Sequence, residues 1–199
     1  MIATIMQSSD LLAQVSLRPA GPVSAACAAT WALDFRSAAA YVQQLPYGRN
    51  ANPADMLAVL LEGRGTCSTK HALLRRLALE LDIEIALVVG IYEMTEQNTP
   101  GIGKVLARYG LGSLPEAHCY LRSGPTRIDV TRKTSNSIEA VYEFLYEEEI
   151  APDQTGAYKK DLHRRFLLKW MERSGLSKTH TLEELWGIRE LCIGALELA

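Results

Sequence analysis

Gly65-Thr66-Cys67-Ser68-Thr69-Lys70-His71-Ala72-Leu73-Leu74-Arg75-Arg76-Leu77-Ala78-Leu79-Glu80-Leu81 reads as a helix whose first residue is a cysteine. Gly65 or Thr66 supplies the cap, and Leu73, Leu74, Leu77, Ala78 and Leu81 recur at helical spacing as one apolar stripe. After Asp82 the run Ile83 to Tyr92 is rich in β-branched residues and unbroken, as a buried strand should be. Downstream, Thr95 to Leu114 holds Asn98-Thr99-Pro100-Gly101 and three further glycines, which predicts a long loop with a short helix at Lys104–Tyr109. Two strands follow, Glu116–Arg122 and Thr126–Val130, and Ser123-Gly124-Pro125 between them is of hairpin length.

Upstream, Phe35, Ala38, Ala39, Val42 and Leu45 place a helix over 34–45, closed by Pro46-Tyr47-Gly48. Asn52 then caps, and Pro53 opens, a second helix predicted to run to Glu62. Residues 1–33 are weakly patterned, with Pro19, Gly21 and Pro22 as breakers. Toward the C-terminus, Lys159–Ser174 carries Leu162, Phe166, Leu167 and Trp170 on one face. Thr181-x-x-Glu184 is a capping box opening a last helix to about Glu197, with Leu182, Leu185, Trp186 and Leu191 as its apolar face. Helices, then strands, then helices predict a single α+β domain on an antiparallel sheet, with its core over about 34–135 and a helical extension over about 137–199.

Cys67 sits where a thiol gains reactivity. The first turn of a helix offers N–H donors and the positive end of the dipole, which favour the thiolate, and the same donors suit an oxyanion. A thiol nucleophile needs a base and a group to orient that base. His118 lies in the strand Glu116 to Leu121, and Asp129 one short turn later in Thr126 to Val130. A hairpin centred on Gly124 pairs residues whose numbers sum to about 247 or 248, which sets His118 across from Asp129.

Gly65-Thr66-Cys67, the amphipathic helix after it, the passage Leu77 to Gly90, Ala117-His118 and Ile128-Asp129-Val130-Thr131 resemble the transglutaminase-like core of the papain-like cysteine enzymes. The resemblance runs from about Phe35 to Thr131 and takes in Tyr47. It implies Cys67 as nucleophile, His118 as base and Asp129 as orienter. The expected activity is attack on an amide or peptide carbonyl through a thioester, with no cofactor, and hydrolysis is slightly favoured over transamidation because water is abundant and no second amine site is evident. Tyr120 stands two residues after the histidine, where Trp is commoner, and Val130 follows the aspartate, where proline is usual.

Two rival readings accompany this one: a non-catalytic scaffold that binds a protein partner, and a zinc site at Cys67, His71 and His118. Outside a zinc site, His71 packs beside the nucleophile or faces solvent. Cys119 should point to the opposite face from His118 and join the core. Glu116 reads as a solvated strand end, His163 and His180 as surface, Glu147-Glu148-Glu149 as a solvated face, and Trp170 and Trp186 as core. Tyr47 reads as packing, with an oxyanion donor as its functional alternative. The chain has 199 residues and a net charge of -2, so nothing in its electrostatics points to nucleic acid or an anionic membrane. Four widely spaced cysteines read as free thiols of a reducing compartment. The first ten residues lack the pattern of a secretory signal, and the expected setting is cytoplasmic, with a peptide or amide substrate and an oligomeric state left open.

Overall fold

The computed structural model describes residues 12–29, 32–132 and 143–197. The signal reading at residues 1–10 and the start of the extension at 137–142 lie outside the described residues. The fold is α+β. Its strands are β1 (Ala86–Met94), β2 (Leu114–Ser123), β3 (Thr126–Ile128) and β4 (Tyr146–Glu149), in one antiparallel sheet of order β3-β2-β1-β4. The chain divides into two compact units, each discontinuous in sequence. The first takes Met1–Val89, Cys119–Ser137 and Glu148–Gly156; the second takes Gly90–His118, Ile138–Glu147 and Ala157–Ala199.

In the first unit, helices α1 (Pro22–Ala28), α2 (Phe35–Gln44) and α3 (Ala58–Glu62) all pack on α4 (Cys67–Glu80). Asp34 caps α2 by accepting from the Ser37 N–H at 2.7 Å, while Ser37 Oγ accepts from the Asp34 N–H. Phe35, Ala38, Ala39 and Val42 of α2 and Leu73, Leu74 and Leu77 of α4 are all buried where the two helices pack. The expected helix from Pro53 is shorter than its sequence suggests, because only 58–62 is α-helical. Asn52 and Asp55 accept the N–H groups of Ala54 and Leu57, so local Asx turns take the donors a longer helix would need. Helix α1 lies in the stretch read as unpatterned. Pro22 starts it rather than breaking it, and the Glu80 carboxylate of α4 accepts from the N–H groups of Val23 and Ser24.

In the second unit, α5 (Gly103–Arg108), α6 (Ala157–Ser174) and α7 (Leu182–Glu197) close a core of Met94, Ile102, Leu106, Leu114, Leu167, Met171, Leu185, Ile188 and Cys192. The expected capping box forms: Thr181 Oγ1 accepts from the Glu184 N–H, and Glu184 accepts from the Thr181 N–H at 2.7 Å. Trp170 and Trp186 pack against this core while partly exposed, and Leu191 is half exposed, outside the buried face expected for it.

Two polar residues differ from expectation. His163 is buried, donating from Nε2 to the Pro115 carbonyl at 2.8 Å, with its ring against Trp186. Glu116 is buried and accepts two hydrogen bonds from Arg189 of α7, at 2.7 and 2.5 Å. The acidic run Glu147-Glu148-Glu149 lies in β4, and with Glu147 and Glu149 exposed it is the solvated face expected of it.

Candidate active site

The turn that delivers Cys67 is built from backbone and short side chains. Tyr47 and Gly65 form a parallel bridge, with Gly65 donating to the Pro46 carbonyl at 3.1 Å and accepting from the Gly48 N–H at 3.3 Å. Thr66 caps α4 in a box with Thr69, whose hydroxyl accepts from the Thr66 N–H at 2.9 Å and donates to Asn50 Oδ1 at 2.8 Å. Asn50 in turn donates to the Arg64 carbonyl at 3.0 Å. A side chain at Gly65 would fall 2.9 Å from Lys70 Cγ and from Thr69 Oγ1, so this position requires glycine for close approach. Cys67 is therefore the first residue of a 14-residue helix whose entry is fixed at several points.

Asp129 reaches the same helix through its own segment. The β2–β3 ladder pairs Leu121 with Ile128, Arg122 with Arg127 and Ser123 with Thr126, so partner numbers sum to 249. The turn is the two residues Gly124-Pro125, with Gly124 at φ +54, which shifts the register from the expected one. Asp129 consequently comes level with Tyr120, not His118, just past the end of the ladder. Its Oδ1 accepts from the Thr131 N–H at 2.8 Å, forming an Asx turn.

Two side chains of α4 hold that turn. His71, fully buried, places Nδ1 2.7 Å from the Cys67 carbonyl, while its Nε2 accepts from the Val130 N–H at 2.9 Å. A carbonyl needs a donor and an N–H needs an acceptor, so the ring is neutral, with its proton on Nδ1. Its Nε2 lies 3.6 Å from Asp129 Oδ1, but with its lone pair already committed this is proximity, not an ion pair. The zinc reading loses its central ligand in this arrangement, and among the described residues no three His, Cys, Asp or Glu side chains are grouped to hold a metal ion.

Lys70 is also fully buried, and it donates to the Leu45 carbonyl at 2.6 Å and the Thr131 carbonyl at 2.7 Å. Burial first, then the nearby charge of Arg132, lowers its pKa to about 8, while Asp129 and Cys67 oppose the shift. Neither role was read from the sequence, although a signal was there. Leu73 and Leu74 extended back by three and four residues both land on Lys70, a lysine on the apolar stripe.

The first unit thus brings together Cys67, Lys70, His71 and Asp129. His118 stands in β2 within the second unit, half-buried, with the Tyr92 ring edge-on at 6.3 Å. Its neighbour Cys119 is buried as expected, and its Sγ lies 3.8 Å from the Ser68 hydroxyl of α4. Tyr47 is half-buried, with the Arg132 guanidinium 4.6 Å from its ring centroid.

Of the four free thiols, Cys67 is the most exposed at 8%, against 2% for Cys27 and 0% for Cys119 and Cys192. Burial, then the charge of Glu80, pushes the Cys27 thiol up to about 11. Burial, then Glu116, does the same to Cys192. A groove of about 570 Å³ in the second unit is lined by Leu162, Phe166 and Trp170 with Arg165, Lys169 and Arg173, and it contains none of the residues read as catalytic. No helix among the described residues is long and apolar enough to cross a membrane. No protein-family model, curated protein or solved structure matches the chain.

Proposed function

We propose that the chain is a cysteine-dependent acyl-transfer enzyme of the transglutaminase-like kind, acting on amide or peptide carbonyls. The reading is carried by one observation: Cys67 opens α4 on a turn pinned by Asn50, Thr66, Thr69 and the Tyr47–Gly65 bridge. A small side chain that served packing alone would have no need of that position. The Cys67 thiolate attacks the carbonyl carbon, the helix N-terminus stabilises the oxyanion, and the intermediate collapses to a thioester as the amine leaves. His118, in the role the resemblance implies, gives the departing amine its proton. Water, or a second amine, then takes the acyl group, with hydrolysis favoured.

The test is labelling with an amide-mimicking electrophile, followed by mass mapping of all four cysteines. Cys67 should carry the adduct, while Cys27 and Cys192, whose thiols are held near 11, stay unlabelled. His118→Ala should slow amide turnover by about a hundredfold or more, the usual contribution of a positioned base. Labelling led by another cysteine would overturn the reading.

A further inference from the structure

A lysine with no exposed surface, three residues after the nucleophile, is a group the mechanism above does not use. Its stem passes beneath Gly65, where Lys70 Cγ occupies the space a larger residue at 65 would claim. Its ammonium then bridges two carbonyls from different parts of the chain. One is Leu45, the residue that ends α2, ahead of the bridge strand bearing Tyr47; the other is Thr131, two residues past Asp129. Thr131 is also the residue whose N–H fixes the Asp129 carboxylate.

We propose that Lys70 is a positioning residue of the Cys67 site, its ammonium tying the end of α2, just ahead of the Tyr47–Gly65 bridge, to the turn that carries Asp129. This rests on the catalytic reading of Cys67. A neutral hydrocarbon of similar length would fill the same space and leave both carbonyls without a donor. The ammonium also puts a positive charge inside the site, where it favours the thiolate over the thiol. The charged and titratable groups that face it are Arg132, Asp129 and Cys67. Of these, Arg132 weakens its hold on the proton, whereas Asp129 and Cys67 strengthen it. Since the amine titrates near pH 8, the clamp is set at neutral pH and slackens in mild alkali.

The experiment measures the rate of Cys67 alkylation by iodoacetamide against pH, in the full chain, for the natural protein, Lys70→Met and Lys70→Gln, with circular dichroism to confirm folding. In the natural protein the profile should show the thiolate on the acid side and a second inflection near pH 8. Lys70→Met should lose that inflection and react about tenfold or more slowly at mildly acidic pH, as the thiol midpoint rises by about one unit. Lys70→Gln, which restores one donor without the charge, should recover folding but not the acid-side rate. A single-step profile in the natural protein, or a natural rate and midpoint in either folded variant, would overturn the proposal. If instead Cys67 in the natural protein is no more reactive than Cys27 or Cys192, it is the catalytic reading that fails, and the two failures are distinct.

Discussion

Lys70 and His71 are adjacent in sequence and both fully buried, yet they solve opposite problems. His71 is stable as a neutral ring because one nitrogen meets a carbonyl and the other an N–H. Lys70 meets only carbonyls, so its surroundings accept the proton while burial resists it. The sign of the consequence follows from linkage. Unfolding raises the amine from about 8 to its ordinary 10.5. Below about pH 8 both states hold the proton and the folded state carries the desolvation penalty. Between about 8 and 10.5 the unfolded chain binds more protons, so this residue's contribution to stability rises with pH, by on the order of 3 kcal/mol in full. Urea denaturation of the natural protein and of Lys70→Met should therefore show a stability difference that moves toward the natural protein as pH rises through that window. A difference independent of pH would mean that Lys70 is not held as a buried cation.

At the scale of elements, α7 is fastened to β2 by one buried charge pair, Arg189 on Glu116. Burial alone would push the Glu116 carboxyl up, but the Arg189 guanidinium, with help from His163, holds it below the usual carboxylate range. Arg189→Met would strand that carboxylate, and a broken buried pair costs about 3–5 kcal/mol by chemical denaturation. The double replacement Glu116→Leu with Arg189→Met should recover most of the loss. A single variant as stable as the natural protein would show that water reaches the pair.

The sequence made much of this scale legible. The helix on Cys67, the helix on Phe35 and the Thr181 capping box follow from periodicity and cap chemistry, which act over a few residues. What it hid depends on partners far along the chain. Helix α1 is completed by Glu80, more than fifty residues away, so Pro22 looked like a breaker. Glu116 and His163 looked solvated because Arg189 and Pro115 are remote from them in sequence. The register slipped by the one or two residues that a guessed turn allows, which moved Asp129 off His118 and level with Tyr120. The tie from α4 to Asp129 is not legible because it runs through the Lys70 and His71 side chains to backbone groups of Thr131 and Val130, about sixty residues away.

At the scale of the whole molecule, the C-terminal helices are part of a core rather than an attachment to one. Leu167, Met171, Leu185, Ile188 and Cys192 close over Ile102, Leu106 and Leu114. A chain ending after Gly156 should leave those three residues uncovered and lose solubility or cooperative unfolding, as read by light scattering and a thermal melt. A soluble, cooperatively melting fragment would show that the second unit stands without α6 and α7.

The interleaving of the two units bears on synthesis. Five times between residues 89 and 157 the chain leaves one unit for the other. On a ribosome, the helix that opens on Cys67 is made early, but the segment of its own unit that ends at Gly156 emerges only after most of the chain has been translated. The helix's packing partners α1, α2 and α3 are made before it, whereas Asp129 and the Thr131 carbonyl that Lys70 holds come about fifty residues after its end. Each unit is gathered from three separate stretches of chain, so any break between residues 90 and 156 divides both of them.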